Sequence, residues 1–243
     1  MHFLDLTFDR AGHNLACDEA LLDLCEDHSN AEILRFWEPK QHFVVLGYSN
    51  KTGVEVAITS CRAERIPVLR RPSGGGAVLQ GPGCLNYSLI LESQARPELK
   101  NLTQTNTYVL ERHRDALVPL LSPGKLEVLG ISDLALGKLK VSGNAQRRRR
   151  RFILFHGTFL LTGFNLELIP RCLAMPSRQP DYRQNRTHQA FVTRLPLLPA
   201  QIMQALRGAW DAQVPLAENF IPRSSIEELV KTKYSLDSWN FKF

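Results

Sequence analysis

Three short stretches gather residue types that handle negative charge. The first is Arg70-Arg71-Pro72-Ser73-Gly74-Gly75-Gly76-Ala77-Val78-Leu79. Glycines permit positive φ and let a ligand touch the backbone, and consecutive amides bind phosphate or carboxylate oxygens. The same triple glycine also suits a plain hairpin turn. The lysine and spacing of a phosphate-binding P-loop are missing, and so is a dinucleotide fingerprint. Arg70 and Arg71 read either as a planar fork for an acidic ligand or as surface charges on an edge strand. The second stretch is Gly137-Lys138-Leu139-Lys140-Val141-Ser142-Gly143-Asn144-Ala145-Gln146. On a strand, Lys138 and Lys140 share a face. They are either solvated or drawn into a pocket to hold developing negative charge. The third is Phe155-His156-Gly157-Thr158, a lone histidine in an apolar strand, which suits a hydrogen-bonded core residue as well as a site. The sequence shows neither a Ser/His/Asp order nor a nucleophile elbow.

The elements that must position these residues follow from periodicity. Strands are expected at 2–7, 33–37, 43–47, 68–71, after the glycines, at 84–91, 126–129, 133–136, 138–143 and 152–161. Helices are expected at 15–25, with Asn14 as N-cap, at 54–65, 103–121 and 199–210. A last helix is expected behind a Ser225/Glu228 capping box. Residues 170–194 read as a long ordered loop. Strands and helices are interspersed without a βαβ rhythm, so an α+β fold is expected.

The chain has 243 residues, 44% hydrophobic and 22% charged. That composition is globular, and one domain over 1–243 is expected. No apolar run is long enough to span a bilayer, and with Asp5 so near the start no secretory leader is expected. Five scattered cysteines without a CxxC pair argue against a zinc site and a disulfide framework, so a cytoplasmic location is expected. The net charge of +6 attracts nucleic acid, anionic membranes, acidic proteins or phosphate-bearing substrates. Its main source is Arg147–Arg151, read as a solvated hairpin tip, a nucleic-acid patch or a dock for an acidic protein. No aromatic interleaving supports the nucleic-acid reading, which is therefore unfavoured.

Taken in order, these segments resemble the lipoate–protein ligase and octanoyltransferase family, which shares its catalytic fold with biotin protein ligases. The resemblance rests on Asn14-Leu15-Ala16-Cys17-Asp18-Glu19, Val44-Val45-Leu46-Gly47, the arginine–glycine stretch, Leu85-Asn86-Tyr87-Ser88, Ser132-Asp133-Leu134, Lys140 to Gln146, and His156 to Leu161. Arg186-Thr187-His188, Phe191-Val192 and Trp239-Asn240 complete it.

The resemblance implies a mixed β-sheet flanked by helices, and a tunnel for an eight-carbon acyl chain. It implies activation of lipoate or octanoate by ATP as acyl-AMP, then attack by a lysine of a lipoyl carrier protein. That carrier would be acidic, such as a glycine-cleavage H-protein or a 2-oxoacid dehydrogenase E2. It further implies that Arg71, Ser73, Gly74, Gly75, Gly76, Ala77, Val78, Leu79, Gly143 and His156 line the acyl-adenylate. Lys140 would stabilise the oxyanion and the phosphate, and Asp133 would hold Mg²⁺.

The pattern departs from the family in three places. Gln80-Gly81 stands where many ligases have His-Asp. The chain stops just after Trp239-Asn240, so no C-terminal accessory domain is expected, and a separate accessory subunit is one way to complete adenylation. An octanoyltransferase moving the acyl group without ATP would need a cysteine thiolate, for which Cys172 in Pro170-Arg171-Cys172-Leu173 is the candidate. A basic, non-catalytic binding module is the alternative of another class.

Overall fold

Strands made of unbroken Val, Leu, Ile and Phe need cover on both faces. A computed structural model describing residues 1–29, 31–94, 96–121 and 125–243 shows how they obtain it. The order is β1 (His2–Asp5), α1 (Ala11–His28), β2 (Ile33–Trp37), β3 (Phe43–Leu46), α2 (Thr52–Glu55), α3 (Ile58–Ala63), β4 (Val68–Arg70), β5 (Val78–Gln80), β6 (Cys84–Glu92) and α4 (Leu102–Leu117). Then come β7 (Leu126–Leu129), β8 (Asp133–Leu136), β9 (Leu139–Arg148), β10 (Phe152–Leu160), α5 (Ile169–Cys172), α6 (His188–Phe191), α7 (Pro199–Ala209), β11 (Val214–Pro215), α8 (Arg223–Leu229) and α9 (Asp237–Asn240).

Among the described residues, eight strands form one mixed sheet in the order β11-β1-β2-β6-β10-β9-β8-β7, and three form a second, β4-β3-β5. One face of the large sheet carries Leu34, Leu89 and Phe155 against Val109, Leu110 and Leu117 of α4 and Ile202 and Leu206 of α7. The other carries Ile33, Ile90 and Leu154 against Leu15, Leu21 and Leu22 of α1 and Ile226 of α8. The α+β architecture with flanking helices is therefore present.

Several local expectations need correction. Asn14 does not cap α1, which starts three residues earlier, after Arg10. Its amide instead accepts from the Phe8 amide at 3.0 Å and donates to the Phe8 carbonyl at 2.7 Å. The segment 54–65 is two short helices, because Val56 leaves the helix to bridge Leu173. The last capping box is not used. Pro222 sets the first turn of α8, so Ser225 lies inside the helix and Ile226 reaches the core. The glycines do not make a hairpin either: β4 and β5 each pair with β3, so the loop between them crosses over that strand. Lys138 lies in the exposed turn before β9, off the strand that carries Lys140.

The buried charge in α1 has a visible partner. Arg35 is fully buried, and its guanidinium donates to Asp18 at 2.5 Å, to the Leu6 and Asn14 carbonyls and to Asn14 Oδ1. Burial opposes ionisation of Asp18, but Arg35 and His156 outweigh it and hold the carboxyl below its usual range. A carboxyl with a depressed folded pKa adds stability above its unfolded pKa, near 4, and loses it as pH falls through the folded value. Asp18→Asn is therefore expected to cost about 3–5 kcal/mol at pH 7. Its acid limb should also be flatter than the wild type's below about pH 4, in urea titrations at a series of pH values. Equal stability at pH 7 would remove the pair from this role.

Candidate active site

Strand register assembles a row that the sequence scatters. Trp37 on β2 stands opposite Asn86 on β6, Asn86 opposite Thr158 on β10, Thr158 opposite Gly143 on β9, and Gly143 opposite Asp133 on β8. Directly opposed residues project to the same face. All five line one cavity of about 350 Å³. Val45 of β3 and Val78, Leu79 and Gln80 of β5 supply wall from the small sheet. Leu173 and Ala174 after α5 and Phe191 of α6 add wall from the 170–194 segment. That segment holds two short helices and is tied to β9 through Thr193, whose amide donates to the Lys140 carbonyl at 2.9 Å.

The charged end of the row is built around Lys140. Its Nζ lies 2.7 Å from Asp133 Oδ1, and Tyr182 Oη donates to Asp133 Oδ2 at 2.8 Å. Burial and the carboxylate beside it raise the Tyr182 phenol well above its usual range, so it remains a donor. The lysine side chain crosses Gly143, where a Cβ would lie 2.8 Å from Nζ. Asn144 pins the Asp133 turn: its Nδ2 donates to the Ser132 carbonyl at 2.8 Å, and its Oδ1 accepts from Tyr87 Oη at 2.6 Å. Arg178, Arg183 and His188 also line the cavity. His188 Nε2 lies 3.0 Å from the Ala174 carbonyl, and burial lowers its pKa, which keeps the ring neutral.

The arginine–glycine stretch works differently from the fork considered above. Arg70 is fully buried and donates to the carbonyls of Gly47, Tyr48, Asn50 and Trp239 and to Thr52 Oγ1. Arg71 donates to the Gly74 carbonyl at 2.6 Å, the Gly76 carbonyl at 2.9 Å and Ser73 Oγ at 3.1 Å. Both forks are spent on the protein's own carbonyls, and they shape the loop. Gly75 is the glycine that the turn requires: its φ is +89°, and its carbonyl packs where a Cβ on Gly47 would stand. The loop presents Arg71, Gly75, Gly76, Ala77, Val78 and Leu79 to the cavity, while Ser73 and Gly74 stand behind that wall.

His156 joins residues that no sequence pattern connects. Its Nε2 is 2.6 Å from Ser73 Oγ and its Nδ1 is 3.9 Å from Asp18 Oδ2. A ring protonated on Nδ1 accepts from the Ser73 hydroxyl at Nε2 and turns its N–H towards the Asp18 carboxylate. This is a structural tie between α1, β10 and the glycine loop. Ser73 is 1% exposed, outside the cavity wall, and already accepts from Arg71, so it is not placed as a nucleophile.

Among the described residues, no cysteine lines the cavity. Cys172 is fully buried on α5, its thiol pushed up to about 12 by burial and by Cys61 beside it. Nor do three or more His, Cys, Asp or Glu side chains gather as a metal cage among those residues. The lone carboxylate of Asp133 suits Mg²⁺, which keeps few protein ligands and binds mainly through phosphates and water.

The arginine run is not a free basic tip. Arg148 donates to the Leu99 carbonyl and to Thr105, and Arg149 to Asp23. The Arg151 amide donates to Glu26, and its guanidinium to Glu92. Much of the run thus braces the β9–β10 hairpin against α1 and α4.

Among the residues that sequence reasoning did not assign to the site are Asp18, Trp37, Asn86, Thr158, Arg178, Tyr182 and Arg183. Trp37, Asn86 and Thr158 reach it only through register. Tyr182 lies in a stretch without periodicity, and no local signal marks it.

Residues 10–205 match the family model described as the lipoyl protein ligase A/B catalytic domain. A putative lipoate-protein ligase A from Aeropyrum pernix is 36% identical over 149 residues, 61% of this chain and 53% of that protein, so the match spans about half of that relative. The octanoyltransferase LipM of Geobacillus kaustophilus is 26% identical over 99% of this chain and 97% of its own length. In fold, the chain matches a bi-partite lipoate protein ligase from Thermoplasma acidophilum, solved in a study with its E2 lipoyl domain, at a TM-score of 0.81. That pair is 22% identical over 99% of this chain and 95% of the other. A lipoate-protein ligase A bound with ATP matches equally, with TM-score 0.81 and 23% identity over 99% and 98% of the two chains. With a family model covering most of its length, this chain belongs to the lipoyl protein ligase A/B catalytic-domain family.

Proposed function

We propose that the chain is an ATP-dependent lipoate–protein ligase. It activates lipoate or octanoate as acyl-AMP, releasing pyrophosphate, and passes the acyl group to a carrier lysine, releasing AMP and a proton. The observation that carries this reading is the row from Asp133 and Lys140 to Trp37. Strand spacing of about 4.8 Å sets Asn86 about 10 Å and Trp37 about 14 Å from Gly143. An extended eight-carbon acyl chain fits that span, with its carboxyl beside the Lys140 ammonium.

In this reading Lys140 holds the acyl oxygen and the phosphate as charge develops on them, a task suited to a fixed cation in a dry pocket. The loop from Gly75 to Leu79 lies along the acyl-adenylate, and His156 holds that loop to α1 through Ser73 and Asp18. Asp133 would hold Mg²⁺, which would supply charge neutralisation at the phosphates. Lys140 and Asp133 now neutralise each other at 2.7 Å, so binding of phosphate and metal would exchange one ion pair for two. The carrier is a lipoyl domain of the E2 or H-protein type, and a separate accessory chain is compatible with the whole-chain match to one part of a bi-partite ligase. All five cysteines are free, which agrees with a reducing cytoplasm. Among the described residues, no helix is long and apolar enough to cross a membrane.

The test is mass spectrometry of a lipoyl carrier domain after incubation with the chain, Mg²⁺ and lipoate, with and without ATP. From lipoate, a lipoyl mass gain that requires ATP is expected; with an accessory chain missing, synthetic lipoyl-AMP is expected to give the gain without ATP. Transfer from neither would overturn the ligase reading.

A second reading, acyl transfer between carriers through a thioester, draws support from the near full-length match to an octanoyltransferase. It requires a thiolate, and the burial of Cys172 supports the ligase instead. Cys172→Ser is expected to leave lipoylation within about threefold of wild type. Loss of activity with the fold intact would favour the transferase.

A further inference from the structure

Gln80 ends β5 in the wall of the cavity, and its neighbours show how its amide is used there. Its Nε2 donates to Thr158 Oγ1 at 2.6 Å, and Thr158 donates its one proton to Asn86 Oδ1 at 2.5 Å. Gln80 is 5% exposed and Asn86 3%, and all three side chains line the cavity. The relay uses half of each amide. Gln80 Oε1 and Asn86 Nδ2 are buried and have no partner. Turning both amides over reverses the relay and leaves the complementary atoms unpaired. One acceptor and one donor therefore stay open in either arrangement. Trp37 Nε1, next in the same cross-strand row, is also buried without a partner.

Such groups are costly to bury unless something bonds to them. Their position identifies the bonding group. Asn86 lies two strands from Gly143, so an acyl chain with its carboxyl at Lys140 reaches it with the far end. A plain alkyl end offers nothing to an amide. A hydroxyl offers both a donor and an acceptor, and a thiol does so more weakly.

We propose that Gln80, Thr158 and Asn86 form a selectivity element for acyl chains whose far end both donates and accepts a hydrogen bond, such as a hydroxyl or thiol, over a plain alkyl chain. This rests on the acyl-site reading above. A site built to bond a polar group rejects the analogue that lacks it far more strongly than an apolar pocket separates chains by size.

The experiment is calorimetric titration of the intact chain with octanoate and with 8-hydroxyoctanoate. The wild type is expected to bind the hydroxy acid at least about tenfold more tightly. Gln80→Met and Thr158→Val, which keep side-chain volume but open the relay, are expected to bring that ratio near one. Because the ratio is taken within each protein, a poorly folding variant cannot imitate the result, and the wild-type ratio needs no variant. Equal binding of both acids by the wild type overturns the selectivity and leaves the acyl site standing. A preference that survives both substitutions overturns it as well. Binding of neither acid overturns the acyl-site reading, and the selectivity with it.

Discussion

Lys140→Met is expected to lower formation of the modified carrier about 10²–10³-fold, the usual cost of losing one group that stabilises developing charge. The Nζ sits 2.7 Å from Asp133 and directly above Gly143, at the charged end of the acyl row. Methionine keeps most of the apolar stem and removes only the charge. The lysine side chain is 26% exposed, and such part-solvated pairs add little to stability, so the melting temperature should move by no more than about 2 °C. The two effects together separate a role in the reaction from a role in folding. Transfer from synthetic lipoyl-AMP should fall along with overall ligation, because the cation serves the acyl oxygen in both half-reactions. Carrier modification within about threefold of wild type, measured by intact mass, would take Lys140 out of the chemistry.

Arg71→Lys should be as damaging as the loss of the side chain, although it conserves charge. Arg71 is 7% exposed, and burial pushes its pKa down to about 10, so the guanidinium stays charged at neutral pH. Its planar fork reaches the carbonyls of Gly74 and Gly76 and the hydroxyl of Ser73 at once. An ammonium donates from one point and cannot span them. Losing at least one such charge-assisted bond to these part-buried carbonyls costs about 2 kcal/mol, or about 4–8 °C in melting temperature for a chain of this size. The Gly75–Leu79 wall is expected to shift with it, and a displacement of about 1 Å near reacting groups lowers rates about 10²-fold. Thermal unfolding and the carrier assay check the two halves separately. An unchanged melting temperature would show that the loop holds its shape without the fork.

Some of the site is legible in the residue types and their spacing. The glycine stretch, Lys140 and His156 carry local signals, Asp133 is marked only by the family resemblance, and the fold brings all four to one cavity or its immediate backing. The function of the arginines is not legible in that way. A fork aimed at a ligand and a fork spent on neighbouring carbonyls have the same sequence, and only the turn of the chain from Gly47 to Asn50, whose carbonyls meet the guanidinium, distinguishes them for Arg70. Arg147–Arg151 has the same ambiguity. Its charge is plain in the sequence, but acids that pair with it, Asp23 and Glu92, come from distant elements. Asn14 shows the converse error. Its type suits a helix cap, yet the buried Arg35 and the Phe8 backbone compete for the amide and win.

What the sequence determined by itself is the set of elements and their chemistry. Period-two and continuous apolar runs mark the strands, an ordered series of motifs marks the family, and the residue types beside the glycines mark a site for negative charge. What the tertiary structure decided is adjacency. Trp37, Asn86, Thr158 and Asp133 meet because β2, β6, β10, β9 and β8 pair side by side, and Lys140 joins them across a shift in the β8–β9 pairing, from Leu134–Ser142 to Ala135–Lys140; a one-residue slip in any strand would turn its contribution to the opposite face. Periodicity along a strand records which face a residue occupies. It carries no record of which strand lies alongside, because that choice depends on burying α1 on one face of the sheet and α4 and α7 on the other.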